Sequence, residues 1–321
     1  MSATRGHEHE SFAAAYVGGL RSLLDEGRRV AGVQEETSVG SSFGQAPRAT
    51  LELGPHWFTI GAPRACLIVG GARELREDYI VGQWLWVMAG SDRLEQISYY
   101  NSHGRAFSDD GRRLSAAFGA RMRVRGGDQL QRVIELLHRD PSSRRAQIVF
   151  AEPADGREPS RDFPCATAVQ FAIREGRLEA VTTMRSQSAL MVLPYDVSLM
   201  ATLQVWIAAL LGLPPGPHHW VANSFHIYTD EIELAEAVLA QPPESVSLPP
   251  VGSDPERRLT VLQSYERTLR ETVVSGERSA SGIELPRRLQ DDRELHGRFA
   301  AVLRHHAIGR EREATGSQTK A

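Results

Sequence analysis

The amino-acid sequence predicts a mixed α/β (α+β) protein on three observations. Residues 165–186 read as an antiparallel hairpin, because "CATAVQFAI" and "RLEAVTTMRS" are strand-like runs flanking "REG", a short turn containing Gly176. Residues 197–213, "VSLMATLQVWIAALLGL", are apolar on nearly every face, the pattern of a helix buried within a fold. Stretches with apolar residues at helical spacing recur on both sides of these elements.

Taken in order, residues 11–27, "SFAAAYVGGLRSLLDEG", predict a helix that stops at Gly27 as a glycine C-cap. Residues 34–48 are rich in Ser, Gly and Thr and predict a loop. "ATLELG" and "HWFTIG" alternate or are rich in β-formers, and together predict a hairpin. Residues 74–90 predict a helix with a strongly apolar face ended by Gly90, and 126–140 a helix stopped by Pro141. "AQIVFAE" (146–152) reads as a strand before the long hairpin. Beyond the buried helix, "HHWVANSFHIY" is a strand, and "TDEIELAEAVL" opens a helix with Thr229 or Asp230 as N-cap. A proline-rich connector follows residue 240, then helices over about 255–275 and 284–307, and a polar tail from about 309 that predicts disorder. No internal repeat is visible. The organisation expected is one domain over 1–321, with a core over about 11–240, a helical C-terminal extension over 241–308 and the tail 309–321.

Composition narrows the function classes. The 321 residues suffice for a sizeable core, with 41% hydrophobic and 24% charged residues. A formal net charge of −3 supplies no bulk field for nucleic acid or a membrane. Two cysteines exclude a disulfide framework and fit a reducing cytoplasm. "MSATRGHEHESF" lacks the apolar region of a signal peptide, and no apolar run is long enough for a bilayer. No metal-ligand set is assigned.

One cysteine, Cys165, stands in "RDFPCATAVQF" at the mouth of a strand, directly after Pro164. It is either a small core residue or a nucleophile. Four features accompany it. "DPSSRR" places Arg144 and Arg145 after a helix stop, as a solvated pair or with one arginine reaching a site. "MRSQSA" places Arg185 and Ser186 on the partner strand, where a guanidinium beside a hydroxyl suits a phosphate. "LPYDVS" places Asp196 before the buried helix, where an N-cap role alone would explain it. "FHIY" places His226 and Tyr228 on one face of a strand, as ligands for a sugar hydroxyl or as satisfied polar residues. Cys66, in the apolar "RACLIVGG", reads as core.

The series "LLDEG", "DPSSRR", "DFPCA", "RS", "LPYDVS" and "FHIYTDEIE", with "QWLWVMAG" and "FSDDGRRLSAAFGARMR", resembles the thymidylate synthase family and its relatives, the pyrimidine-nucleotide hydroxymethylases, over roughly residues 11–240. The resemblance implies the family fold: a large mixed sheet flanked by helices, paired back to back in a homodimer. It implies a pyrimidine nucleoside monophosphate as substrate and methylene-tetrahydrofolate as cofactor. It makes Cys165 the nucleophile, and the chemistry accounts for the need. C5 of a pyrimidine is a poor nucleophile until a thiolate adds at C6, which splits one hard step into two easier ones. It assigns Arg144, Arg145, Arg185 and Ser186 to the nucleotide phosphate, the adjacent pair coming from the other subunit, and His226 and Tyr228 to the sugar hydroxyls.

The departures from the family pattern concentrate on the base. Asp196 stands where uracil-specific members have Asn. A carboxylate there opposes a carbonyl oxygen but accepts from the exocyclic amine of cytosine and, when protonated, also donates to N3. Gln83 stands in the catalytic set at the position of the family's Glu, and a carboxamide is neither acid nor base. Ala166, Phe118 and Ser188 replace a His, a Tyr and an Asp. The Gly/Thr-rich loop lacks its arginine, for which Arg48, Arg28 and Arg29 are the candidates. The helical extension replaces a short apolar closing segment, which leaves water to quench the transferred carbon. The expected function is C5 hydroxymethylation of CMP or dCMP. The alternatives are C5 methylation of a uridine or cytidine nucleotide, and nucleotide binding without folate chemistry.

Overall fold

The computed structural model of the chain describes residues 7–33, 48–157, 160–276 and 279–318. In chain order, β1 (His7–His9), α1 (Phe12–Glu26), β2 (Arg28–Val33), β3 (Arg48–Leu53), β4 (His56–Ile60) and β5 (Leu67–Val69) come first. Next are α2 (Glu77–Met88), α3 (Leu94–Tyr100), α4 (Phe118–Arg123), α5 (Gln129–Arg139) and β6 (Gln147–Val149). β7 (Ala166–Arg174) and β8 (Arg177–Ser188) lead through α6 (Leu193–Leu210) to β9 (Pro215–Tyr228). α7 (Ile232–Ala240), β10 (Glu244–Val246), α8 (Pro255–Ser275) and α9 (Leu295–Gln318) follow.

The main sheet runs β1-β4-β9-β8-β7-β6, with β3 also paired to β9 and β2 to β3. It is mixed: β8 and β9 are parallel, as are β1 and β4, and the other pairs are antiparallel. The expected mixed α/β class is therefore present, with a large sheet and flanking helices. The β7–β8 hairpin forms as the alternation predicts. Its turn, Glu175-Gly176, has φ of 50° and 71°, the two positive values of a two-residue turn whose twist matches the strands.

The hairpin expected from "ATLELG" and "HWFTIG" does not form. β3 and β4 lie end to end along β9, Leu53 opposite Phe225 and His56 opposite Ala222. β9 is 14 residues long and offers ladder positions to both in succession. Gly27 ends α1 as expected, but not in a left-handed conformation: its φ is −62°, and what demands glycine is the Leu23 carbonyl oxygen, 2.3 Å from where a Cβ would sit. Helix α6 starts four residues earlier than the apolar run suggests, because Pro194 in its first turn has the φ that a helix needs and no N–H to leave unpaired. Asp196 is consequently inside the first turn, and Val192 is the N-cap, so the capping explanation of Asp196 is overturned. Thr229 and Asp230 likewise fall in a short 3-10 turn ahead of α7 rather than capping it. The tail expected to be disordered continues α9 to Gln318, helped by Glu311, which accepts a hydrogen bond from the Ala280 amide at 3.0 Å. The predicted start of that helix at 284 moves to Leu295.

α6 has the composition to cross a membrane, but 83% of it is buried inside the fold. Gln204 fastens it to the sheet, donating to the carbonyls of Leu178 (2.8 Å) and Gly216 (2.9 Å). α9 packs on α2, with Phe299 edge-on to Trp84 at 5.5 Å and Arg298 paired with Glu77 at 2.9 Å. The opposite face of the sheet carries a row across five strands, Trp57–Val221–Thr183–Ala168–Val149, with Trp57 40% and Val149 37% exposed.

Gly82 on α2 lies under the Tyr100 ring, which would stand 2.4 Å from an added Cβ. Tyr100 is buried and its hydroxyl donates to Glu266 at 3.0 Å, so the ring has nowhere to yield. Gly82→Ala is expected to cost about 1–3 kcal/mol through overpacking, read as a lowered denaturation midpoint. An unchanged midpoint would show that α3 moves freely.

Candidate active site

Parallel strands β8 and β9 end on the same side of the sheet, and α6, which connects them, begins there. That corner collects Arg185, Ser186 and Gln187 from β8, Asp196 from α6, and His226 and Tyr228 from β9. Cys165 joins them because the Arg185 amide donates to its carbonyl at 2.9 Å.

The Arg185 guanidinium closes the loop before β7. It donates to the carbonyls of Pro164 (2.9 Å) and Phe163 (3.3 Å), lies 4.8 Å from the Phe163 ring, and stands 3.9 Å from the Cys165 sulfur. A fixed positive charge beside a half-buried thiol favours the thiolate. Asp162 ties the same loop to the chain before α4, accepting from the Ala116 amide at 2.7 Å, and burial pushes its carboxyl up to about 6. Cys66 is the contrast: fully buried, its thiol is pushed up to about 12 by burial, as a core cysteine's should be.

Asp196 is 5% exposed, and its Oδ2 accepts from Gln187 Nε2 at 3.0 Å. Burial pushes its carboxyl up to about 7, against the Gln187 bond, which favours the charged form. Near neutral pH it can therefore accept or donate. Tyr195 beside it meets Tyr79 of α2 edge-on at 5.0 Å, and Gln83 follows Tyr79 one helical turn later, half-buried. The Arg73 guanidinium lies 5.7 Å from the Tyr195 ring, and its Nη1 is buried without a hydrogen-bond partner among the described residues. Two aromatic rings bordered by a guanidinium that keeps one nitrogen unmet while its Nη2 donates to the Met191 carbonyl at 2.8 Å fit a cofactor with a flat ring and an anionic tail, as folate has.

His226 is held neutral: burial, then the charges of Arg185 and Arg48, lower it to about 4. Its ring is edge-on to Tyr228 at 5.4 Å. Arg48 lies 3.6 Å over the Tyr228 ring and is paired with Asp230 at 2.6 Å. Of the three candidates for the loop arginine it is the one at this corner, while Arg28 and Arg29 are exposed on β2. The Gly/Thr-rich loop over 34–47 lies outside the described residues.

Arg144 and Arg145 are not brought to Cys165 within one chain. The Arg144 carbonyl accepts from Gln170, five residues along β7 from Cys165, roughly 17 Å at strand spacing. Both arginines are exposed beside β6 and line a cleft of ≈ 460 Å³ with Arg139. At the remaining departures, Ala166 is fully buried, Phe118 packs on Phe150 at 4.9 Å, and the Ser188 hydroxyl is buried without a partner among the described residues. Sequence reasoning missed Gln187, Asp162, Tyr79, Tyr195 and Arg73. Asp162, Gln187 and Tyr195 stand within the motifs around Cys165, Arg185 and Asp196, whereas nothing local singles out Arg73.

A family model described as thymidylate synthase matches residues 16–270, most of the chain.

The raised Asp196 pKa has a stability consequence. Between pH 4 and 7 the folded carboxyl keeps a proton that the unfolded chain has released, so stability falls as pH rises through that window. Asp196→Asn retains an acceptor for Gln187 and lacks the titration. Chemical denaturation from pH 4.5 to 8 is expected to show the variant gaining on wild type as pH rises. A pH-independent gap would mean that Asp196 titrates like an exposed carboxylate.

Proposed function

The chain belongs to the thymidylate synthase family, and from that premise we propose that it hydroxymethylates C5 of a cytidine monophosphate, CMP or dCMP, with methylene-tetrahydrofolate as donor. The family establishes a one-carbon transferase that uses a folate and acts at C5 of a pyrimidine nucleotide. The observation that carries the finer reading is Asp196. It is buried at the corner that holds Cys165, it is not a helix cap, and its carboxyl is poised between its two protonation states. Ionised, it accepts from the exocyclic amine of cytosine; protonated, it also donates to N3. Uracil sets its O4 against the carboxylate.

In this reading the Cys165 thiolate forms a bond to C6, and the C5=C6 electron pair moves into the ring, leaving C5 nucleophilic. After C5 has taken the new carbon and lost its proton, the donor amine leaves that carbon as an exocyclic C5 methylene forms, water adds to the methylene, and the returning electron pair expels the Cys165 thiolate from C6 and restores the C5=C6 double bond. Bound folate supplies a carbon at the formaldehyde oxidation level, so a hydroxymethyl product needs water and no reductant. Arg185 favours the thiolate and, with Ser186, takes the phosphate. Neutral His226 and Tyr228 hold sugar hydroxyls. Tyr79, Tyr195 and Arg73 hold the folate. Gln83 contributes hydrogen bonds alone, so proton movement falls to Asp196 or water. The two free thiols suit a reducing cytoplasm.

The proposal includes a back-to-back homodimer. The row from Trp57 to Val149 gives each sheet an apolar face for the other. The exposed Arg144–Arg145 pair then serves the partner's phosphate, which its distance from its own Cys165 supports.

Release of tritium from C5-labelled CMP, dCMP, UMP and dUMP tests the reaction. Wild type should favour the cytidine nucleotides roughly ten- to a hundredfold, the cost of an opposed buried acceptor. Asp196→Asn should narrow or invert that ratio, and Cys165→Ser should abolish exchange. Equal rates on both bases would end the cytosine reading.

A second experiment addresses sharing between subunits. Cys165→Ala and Arg145→Ala proteins, each inactive alone, should recover part of the activity when mixed through hybrid dimers. A fully active monomer at assay concentration would refute sharing.

A further inference from the structure

The side chain that touches Asp196 sits inside "MRSQSA", between Ser186 and Ser188, at a position to which the sequence assigns no role. Gln187 lies on β8 two residues beyond Arg185, opposite Phe225 of β9, and is 1% exposed. Its Nε2 donates to Asp196 Oδ2 at 3.0 Å, while its own Oε1 is buried with no hydrogen-bond partner among the described residues. A buried acceptor left unmet is costly, so its persistence beside a reactive corner calls for a reason. The groups ranged about Asp196 are Gln187 from β8, the Tyr79 phenol from α2, and Tyr195 on its own helix with Arg73 beyond it.

A carboxamide carries a donor and an acceptor at nearly equivalent ends, and a half-turn exchanges them. With Nε2 forward it stabilises an ionised Asp196. With Oε1 forward it accepts the proton of a neutral Asp196, and the orphaned oxygen gains its partner.

We propose that Gln187 is the positioning residue of Asp196: it holds one carboxyl oxygen in both protonation states, leaves the other for the base, and so sharpens the preference for cytosine. This rests on the reading of Asp196 as the group that meets the base. Its reach extends to the proton balance of the site. The amide bond lowers the Asp196 pKa against burial, so removing it should leave the carboxyl neutral over a wider range.

The test is Gln187→Met, similar in length and without hydrogen bonds, in wild-type and Asp196→Asn backgrounds. CMP and UMP binding are measured by calorimetry from pH 5 to 9, and the Asp196 carboxyl is followed by carbon-13 NMR. Gln187→Met should raise the carboxyl midpoint and the inflection in CMP binding by about one unit, a tenfold change in the ionisation constant. It should reduce the CMP-to-UMP ratio about tenfold, and it should do neither in the Asp196→Asn background. A purely structural role would lower the denaturation midpoint and leave both the inflection and the ratio in place, which would overturn the proposal. A wild type that binds CMP and UMP equally would instead sink the base-reading premise, and the carbon-13 midpoint would still decide whether Gln187 governs Asp196. Should Gln187→Met fail to fold, the side-chain amide resonances of Gln187 in wild type serve: they should titrate with the Asp196 midpoint, and constancy across pH 5 to 9 would refute the coupling.

Discussion

The parallel pairing of β8 with β9 is the constraint on which this molecule depends. Parallel neighbours cannot be joined by a turn, so the chain must return over the sheet, and α6 is that return. The consequence is geometric. The end of β8, the head of α6 and the end of β9 come together at one corner, where an open sheet of this kind leaves a crevice. Gln204 fixes the crossover by bonding α6 to the strands at both of its flanks, and His218, bound to Gln204 at 2.9 Å and Thr182 at 2.9 Å, extends the lock into the sheet. A polar network so placed is buried but satisfied, which is the condition under which such networks add rigidity.

The corner itself is built against its own stability. Asp196 has no cation against it among the described residues, and burial disfavours its ionised form. His226 is kept neutral by the same burial and by two guanidinium charges. Arg73 and Gln187 each hold a buried polar atom without a partner among the described residues. In the proposed function these are groups that a nucleotide base, a sugar and a folate would meet. Arg185 is the exception. Its guanidinium is already engaged with the Cys165 loop, so it orders that loop as well as placing a positive charge beside the thiol.

Support for α2, the helix that carries Tyr79 and Gln83, comes from the C-terminal part of the chain. α9 packs Phe299 on Trp84 and pairs Arg298 with Glu77, while His306 meets Asp78 at 2.9 Å. Tyr100 and Glu266 bring α3 and α8 together beside it. Residues beyond 270, outside the family match, thus help set the wall opposite Asp196.

The sequence by itself determined what local chemistry can specify. The alternation on either side of Glu175-Gly176 fixed a hairpin, because a two-residue turn with positive φ admits one register. The all-round apolar run of α6 fixed a buried helix, because no other placement removes all its faces from water. The spacing around Cys165, Arg185, Asp196, His226 and Tyr228 was legible in the same way, since each motif is a short stretch of chain. Pairing partners over long separation were not. β3 and β4 read as a hairpin because both are short β-rich runs with Gly54 and Pro55 between them, and only the length of β9 places them end to end. Asp196 read as a cap because the start of α6 is decided by Pro194 and by what the helix buries. Gln187 stands inside "MRSQSA" without a role legible there, for its meaning is the 3.0 Å contact with Asp196 across β8 and α6. Periodicity and turn chemistry act within a few residues of chain. Register, burial and the approach of one side chain to another are settled by packing, and packing exists only in the folded whole.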